Sequence, residues 1–424
     1  VMTHRSEFFS SISIEVNTQI STISTTHLMN LDQEIHLAYL SSQPLVASRG
    51  GEEIDKLDIA GERVELFRTF SATGKALRVK SDTATSDNLR AIITRGCRAL
   101  HYTGHGLEEC LAFEDGAGVM HPLSSERLSQ LITAGGHDTV QFVFVSACHS
   151  QAAGQAFVEA GVPHVVAVRL NARITDKASR DFSKQFYLAL LLGQTVREAF
   201  EVGKASLIGS ARPSEDVYEV ADKFLLLPKD GQHDVAIFGD LAPGPCTDLT
   251  AALPLTNLPA SPEHFIGRNS DMADLYRNCL AKRLVVLCGP HGIGKSALAV
   301  AGAHYMAERL AYDGVFFVNT SWDLPRISAE LLGKSLSSLA ELIVAARSSW
   351  NALSSVLIVV DNVTDAAETE LISALLQLPL VKIIATSVHP LHAISGVGVR
   401  LMHLQRLLPG SSAHLFYAMS PRQI

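Results

Sequence analysis

What most constrains this chain is an alternation. Short apolar runs at 141–145, 164–168, 283–288 and 356–361 are separated by longer stretches of helical periodicity. Short buried runs followed by amphipathic helices build βαβ units, in which parallel strands form a sheet covered by helices on both faces. The pattern occurs in two series. The first has an apolar stretch at 37–45, a charged helical stretch at 52–70, a strand at 76–80, a helix at 85–95 and a strand at 99–102. It continues with a helix at 124–134, a strand at 141–145, a helix at 153–160, a strand at 164–168 and helices at 176–192 and 195–207. The second has strands at 283–288, 315–319, 356–361 and 381–386. The expected fold class is therefore α/β throughout, in two successive units.

Between the series, Pro-Lys-Asp-Gly, Ala-Pro-Gly-Pro and Leu-Pro-Ala-Ser-Pro punctuate the chain as turns and an extended linker. The expected division is a poorly ordered lead-in at 1–34, a domain at 35–227, a Pro-rich linker at 228–262 and a second domain at 263–424. A chain of 424 residues that is 47% hydrophobic and 18% charged has material for two or three cores. No apolar run approaches the roughly 20 residues of a membrane-spanning helix. A net charge of −8 lacks the broad basic field of a non-specific nucleic-acid binder, so no nucleic acid is expected as partner. Six cysteines without a C-x-x-C pair argue against a disulfide framework and for a reducing, cytoplasmic setting. A first residue Val1 and an end at Ile424 just after a helical stretch suggest a piece of a longer gene product.

The most specific motif is Gly289-Pro290-His291-Gly292-Ile293-Gly294-Lys295-Ser296, followed by Ala297 and preceded by an apolar strand. The spacing G-x-x-x-x-G-K-[ST] lets backbone amides converge on phosphate oxygens, with the lysine ammonium and the helix N-terminus adding positive charge. Ser296 is expected to ligate Mg²⁺. An acid at the end of a later strand should hold the same ion through water, and Asp361 supplies it. Asn362 follows, where fast ATPases carry a second acid, and an amide is no base. Slow hydrolysis, suited to a switch rather than a motor or nucleotide kinase, is the expectation.

Together with Phe265-Ile266-Gly267-Arg268, the stretch 382–387 and the stretch 401–416, these motifs resemble the nucleotide-binding core of STAND ATPases. That is the family of plant resistance proteins and apoptotic-protease activators. The resemblance covers about 264–420 and implies a P-loop NTPase fold with ATP/ADP and Mg²⁺ as cofactors. It also implies nucleotide-dependent homo-oligomerisation and a sensor region beyond the C-terminus. Val388 stands where the family often has a phosphate-sensing arginine.

In the first series, two strands end at reactive side chains, in Leu100-His101-Tyr102-Thr103-Gly104-His105-Gly106 and in Val143-Phe144-Val145-Ser146-Ala147-Cys148-His149-Ser150. Parallel strands present their C-terminal ends on one sheet edge, where His105 and Cys148 can meet as base and nucleophile. The backbone amides of Gly106 and Cys148 are the candidate oxyanion donors. The bland alternatives are a buried strand-end cysteine and a structural histidine. His101 and His105 have the spacing of a helical metal pair, but they lie on a strand and turn with no third ligand apparent. His149, next to the nucleophile, is a loop residue pointing elsewhere. Asp115 and Asp176 read first as surface or turn carboxylates, and second as walls of a pocket for a basic side chain.

Residues about 35–210 resemble a CHAT domain, a caspase-like cysteine peptidase fold, on the stretches 101–106, 146–154, 156–168 and 186–199. The last stretch carries Tyr-x-x-Leu-x-x-Gly-x-x-x-x-Glu-Ala. The resemblance implies the catalytic dyad His105–Cys148 and a protein substrate. Arg169-Leu170 stands where the family often has a tryptophan-bearing segment. The combined expectation is a caspase-like α/β sandwich followed by a P-loop NTPase domain. Its function would be that of a nucleotide-regulated cysteine endopeptidase in signalling, defence or cell death. The rival is a non-catalytic signalling scaffold with a nucleotide-dependent oligomerisation switch.

Overall fold

The computed structural model describes residues 34–134, 139–170, 172, 174–210, 217–250, 254–364, 366–391 and 398–420. The chain divides into two compact units, one formed by Asp32–Arg49 with Ile54–Thr250 and the other chiefly by Ala251–Ile424. The lead-in at 1–34 lies, apart from its last residue, outside the described residues.

In the first unit the strands are β1 (Ile35–Ser41), β2 (Arg78–Thr83), β3 (Cys97–Thr103), β4 (Cys110–Glu114) and β5 (Met120–Ser124). They continue with β6 (Phe142–Ser146), β7 (His164–Val168), β8 (Phe224–Leu227) and β9 (Thr247–Asp248). Seven of them form one sheet in the order β8-β7-β6-β3-β1-β2-β9, parallel except where β8 pairs antiparallel with β7. Side chains alternate along each strand. Leu37, Tyr39, Phe142 and Phe144 therefore face one core, beneath the helices Ile59–Ala72, Asp176–Leu191 and Val196–Ser210. Ala38, Leu40, Val143 and Val145 face the other, beneath the helices Ser86–Arg95, Ser125–Thr133 and Gln151–Glu159.

 Both faces are thus covered, as the two-sided apolar character of the strands requires.

Local signals set the helix starts. The side chains of Asp58, Thr85, Ser124 and Thr175 each accept the backbone N–H three residues on, capping the helices that follow. The charged stretch at 52–70 becomes helical only from Ile59, where the Asp58 cap takes effect. The strand expected at 76–80 starts at Arg78, because Ala76 N–H is bonded to Ala242 O. The antiparallel hairpin of β4 and β5 was not in the expected alternation, and neither was the antiparallel edge strand β8.

The stretch expected as a linker at 228–262 is corrected up to residue 250. Ile237, Phe238, Leu241 and Leu249 are buried in the first unit, and β9 pairs in parallel with β2. Scattered apolar residues among turn residues give no periodicity, so this docking is invisible along the sequence. The segment is also tied down by His233. Its Nε2 donates to Pro228 O at 2.8 Å, and its Nδ1 lies 2.9 Å from Nδ1 of the buried His164 on β7. A carbonyl can only accept, so His233 carries its proton on Nε2 and His164 donates from Nδ1.

In the second unit the strands are β10 (Leu255–Thr256), β11 (Leu284–Cys288), β12 (Gly314–Asn319), β13 (Val356–Val363), β14 (Val381–Ser387) and β15 (Val399–His403). They form a parallel sheet in the order β10-β12-β13-β14-β11-β15. Leu284, Val286, Ile358 and Val360 are buried in a core that also holds Trp350, stacked on Phe316 at 5.6 Å. All six cysteines are free, and among the described residues no helix is long and apolar enough to cross a membrane.

The two histidines predict an acid weakness. Burial, and then the neighbouring His233, push the His164 pKa down to about 4. The unfolded chain, with an ordinary value of about 6.5, therefore binds this proton more readily. Stability from this site is complete above about pH 6.5 and is lost as pH falls from there through about 4. The thermal midpoint, followed by circular dichroism, should fall more steeply over this window in the wild type than in His164→Asn. Equal slopes would refute the assignment.

Candidate active site and glycine-rich loop

β3 and β6 are adjacent and parallel, with Thr103 opposite Ser146 at their last rung. Two residues further along each chain lie His105 and Cys148, which line one small cleft of about 90 Å³ together with Gly106. The structure thus brings the two expected reactive side chains to one place. Gly106 sits so close to the Cys148 loop that a Cβ there would lie 1.8 Å from Cys148 O. Only glycine allows this approach, which puts the backbones of both expected oxyanion donors on the same cleft.

His105 Nε2 donates to Asp55 O at 2.8 Å. With its proton held on Nε2, the neutral imidazole keeps Nδ1 as the basic nitrogen. Cys148 Sγ receives Ile174 N–H at 3.5 Å and contacts Ile174 O at 3.7 Å. Among the described residues no hydrogen bond joins His105 to Cys148. Catalytic hydrogen bonds tighten on substrate binding, so the separation does not disqualify the pair. The other five thiols have pKa values raised by burial, Cys97 and Cys279 to about 12 and Cys246 to about 11. They are poor nucleophiles at neutral pH.

Besides His105 and Cys148, the cleft is lined by Asp58, Glu62, Asp176, Ser179 and Arg180. Arg180 is ion-paired with Asp58, whose backbone N–H donates to Asp176 Oδ2 at 3.0 Å. Glu62 is buried and receives Ser146 Oγ at 3.2 Å, while Ser146 Oγ lies 2.6 Å from Ser179 Oγ. Burial pushes the Glu62 carboxyl up, but contact with His101 and the hydroxyls of Thr103 and Ser146 outweighs it, leaving the pKa below the ordinary value.

Glu62, Ser146, Ser179 and Arg180 were not among the expected site residues. A signal for Glu62 was present, since Glu62, Leu66 and Phe70 recur at helical spacing on the buried face of one helix. His101 is not a metal-pairing partner of His105: its ring lies fully buried between Tyr39 and Phe144, at centroid distances of 5.1 and 5.0 Å. Asp115 is a turn carboxylate, accepting the N–H groups of Ala117 and Val119. His149 takes a left-handed backbone conformation (φ 55°) and does not line the cleft.

In the second unit, the loop from Gly289 to Gly294 joins β11 to the helix Lys295–Glu308. Gly292 and Gly294 have φ of 76° and 100°, the left-handed region that lets successive amides turn inward. Lys295 Nζ donates to Gly289 O at 2.9 Å and Pro290 O at 3.0 Å. Pro290 and His291 are exposed at the loop tip, while Ala297 is half-buried in the first helical turn. Ile293 O accepts Arg268 Nη2 at 2.9 Å, which ties the loop to the arginine of the upstream Phe-Ile-Gly-Arg run.

Ser296 Oγ donates to Asp361 Oδ1 at 2.7 Å, and Thr386 Oγ1 donates to the same oxygen at 2.6 Å. Asn319 Nδ2 reaches Asp361 Oδ2 at 3.3 Å. Ser296 and Asp361 are therefore already within one hydrogen bond of each other. An ammonium, a ring of loop amides, a hydroxyl and a carboxylate are a donor set that suits a phosphate chain with its magnesium ion.

A family model described as the CHAT domain matches residues 25–235. Among solved structures, the Arg-specific cysteine proteinase gingipain R is similar with a TM-score of 0.35 and 14% identity, over 56% of this chain and 57% of that one. The complex of Porphyromonas gingivalis RgpB pro- and mature domains gives a TM-score of 0.33 and 13% identity, over 57% and 58%. A STAND protein with a tetratricopeptide repeat sensor from Pyrococcus horikoshii gives 0.28 and 18%, over 39% and 27%. The chain thus spans little more than half the length of the gingipain structures and about a quarter of the STAND structure. No curated protein matches it. The CHAT match falls on the stretch whose His105 and Cys148 motifs resemble that family.

The close approach at Gly106 predicts a local cost. Gly106→Ala must move the Cys148 loop and should destabilise the chain by about 1–3 kcal/mol. Gly74→Ala, at φ 61° with open space around its Cα, should cost only about 1 kcal/mol. Chemical denaturation of the two variants side by side checks the difference.

Proposed function

We propose that the chain is a nucleotide-regulated cysteine endopeptidase of a signalling, defence or cell-death pathway. The observation that carries this reading is the placement of His105 and Cys148 at the ends of adjacent parallel strands, on one cleft. In the proposed reaction His105 Nδ1 takes the Cys148 thiol proton and the thiolate forms a C–S bond with the peptide carbonyl carbon. The carbonyl electron pair moves to oxygen, where the N–H groups of Gly106 and Cys148 stabilise it. Collapse breaks the C–N bond as His105 returns its proton to the leaving amine. Water, deprotonated by the same imidazole, then hydrolyses the thioester. Asp55 O keeps the imidazole in the productive tautomer throughout.

For the second unit the proposal is a P-loop NTPase of the STAND type, working as a slow switch that controls assembly. Bound ATP or ADP with Mg²⁺ would supply a phosphate charge that distinguishes the two states. Gly289, Pro290, His291, Gly292, Ile293, Gly294, Lys295, Ser296 and Ala297 would hold the phosphates, with Ser296 and Asp361 at the metal. Lys295 would release its carbonyl contacts to meet the phosphates, and Ser296 would exchange its bond to Asp361 for the metal. Asn362 offers no base, which suits a long-lived state. Homo-oligomerisation, a sensor elsewhere in the gene product and a cytoplasmic setting belong to the same proposal. One observation favours the scaffold as a second reading: the Cys148 thiol rests on the Ile174 backbone rather than on His105.

Alkylation of Cys148, read by mass spectrometry against pH, decides between them. The peptidase reading expects fast alkylation below pH 7 that His105→Ala slows by roughly tenfold or more, with peptide cleavage abolished in Cys148→Ala. Alkylation at an ordinary thiol rate, unchanged by His105→Ala with or without Mg-ATP, would favour the scaffold. Lys295→Ala should abolish binding of a fluorescent ADP analogue; retained binding would remove the switch.

A further inference from the structure

The last rung of β3 and β6 is held by side chains as well as by backbone. Thr103 and Ser146 face each other there, the first two residues before His105 and the second two residues before Cys148. Past this rung, the backbone link from Gly104 N–H to Ser146 O has lengthened to 3.3 Å. The buried carboxylate of Glu62 reaches the same place from the helix Ile59–Ala72. Its Oε1 accepts Ser146 Oγ–H at 3.2 Å and its Oε2 accepts Tyr39 O–H at 3.4 Å. The Thr103 hydroxyl is a further partner, and His101 Nε2 lies 3.6 Å from Oε1. Both strand ends thus share one acceptor.

Hydrogen counting gives this network a direction. A carboxylate only accepts and a serine has one hydroxyl hydrogen, so Ser146 directs its hydrogen to Glu62. Ser179 Oγ, 2.6 Å from Ser146 Oγ, is then the donor of that pair. Ser179 lies in the first turn of the helix Asp176–Leu191, just after Ile174, whose N–H rests on Cys148 Sγ at 3.5 Å. The His105 loop, the Cys148 loop and the start of this helix are therefore all referred to the same carboxylate.

Packing by itself does not require a charge here. Leu66 and Phe70 already seat the helix Ile59–Ala72 on the sheet, and an apolar residue at 62 would avoid the desolvation that a buried carboxylate costs. An apolar residue could not orient two hydroxyls at once, because hydrogen bonds are directional and apolar contacts tolerate repacking.

We propose that Glu62 is a positioning residue, whose carboxylate joins the Thr103 and Ser146 hydroxyls and so fixes the separation at which His105 meets Cys148. For its consequence in catalysis the proposal rests on the peptidase reading. The separation itself is measurable without that reading.

Two measurements on the full chain, each resolved to single cysteines by mass spectrometry, test this. The first is alkylation of Cys148 by iodoacetamide below pH 7. Adding His105→Ala should slow it roughly tenfold in the wild type, but less than about threefold in Glu62→Gln or Thr103→Val. Thr103→Ser, which keeps the hydroxyl, should retain the full factor. Leu66→Val, which loosens the same helix without touching the hydroxyls, should retain it too. In the second, a His105→Cys variant is linked to Cys148 with 1,2-bismaleimidoethane, and linked chains are read against singly modified ones. Glu62→Gln and Thr103→Val should each lower that ratio at least about threefold, and Thr103→Ser should not. Should Glu62→Gln fail to fold by circular dichroism, Thr103→Val carries both tests. An unchanged linking ratio overturns the positioning role. So does a full His105 factor in both variants, or an equal loss of it in Leu66→Val. A linking ratio that falls as expected, with wild-type alkylation indifferent to His105, would uphold the positioning and sink the peptidase reading instead.

Discussion

The parallel pairing of β3 with β6 governs the rest of the first unit, because its register decides which side chains meet at the sheet edge. Tyr39, His101 and Phe144 occupy one rung across β1, β3 and β6, and their rings stack across it. A slip of one residue would send the His101 ring to the opposite face and bring Tyr102 into its place. Aromatic stacking and burial on both faces thus lock a register whose last rung is Thr103 and Ser146. From that rung the two loops have one geometry that brings His105 and Cys148 onto a common cleft. Gly106 completes it, since no other residue could pass so near Cys148 O.

Beneath this edge the fold accepts an unfavourable burial. Placing Glu62 out of water costs several kcal/mol unless its charge is compensated. Compensation comes from three directions: Tyr39 on β1, His101 on β3 and Ser146 on β6. The helix Ile59–Ala72 that carries Glu62 is held over the same face by Leu66 and Phe70. Apolar packing of the helix therefore sets where the carboxylate sits, and its polar partners from three strands compensate the charge there.

The second unit solves a related problem with a different geometry. Asp361 lies near the C-terminal end of β13, a strand buried on both faces, and is itself buried, so its two oxygens are satisfied by Ser296, Thr386 and Asn319 from three neighbouring elements. Asn362 follows at φ 69°, where the register of β13 against β14 shifts, with its N–H held by Thr386 Oγ1 at 2.8 Å. Rigid strands thus hold the glycine-rich loop and the buried carboxylate in a fixed relation.

Much of this was legible along the chain. Apolar runs bounded by turn residues marked β3, β6, β7, β11, β12, β13 and β14 to within one or two residues, since strands buried on both faces leave a continuous signal. The Gly-rich loop and the two strand-end motifs were visible for the same reason: their chemistry is local. The hairpin Cys110–Ser124 escaped because its strands are short and carry little alternation. The packing of 228–250 escaped because docking by Ile237 and Phe238 has no period.

By itself, then, the sequence determined the α/β alternation, the positions of His105 and Cys148 at strand ends, and the Gly289–Ser296 loop with Asp361 downstream. Each depends on neighbouring residues and short-range sterics. Only the tertiary structure decided that β3 lies beside β6, that Asp55 O orients His105, and that Glu62 lines the same cleft from a helix far upstream in the chain. Those facts arise from strand order and helix docking, where side chains distant in sequence compete for one buried face, and no local pattern encodes the outcome.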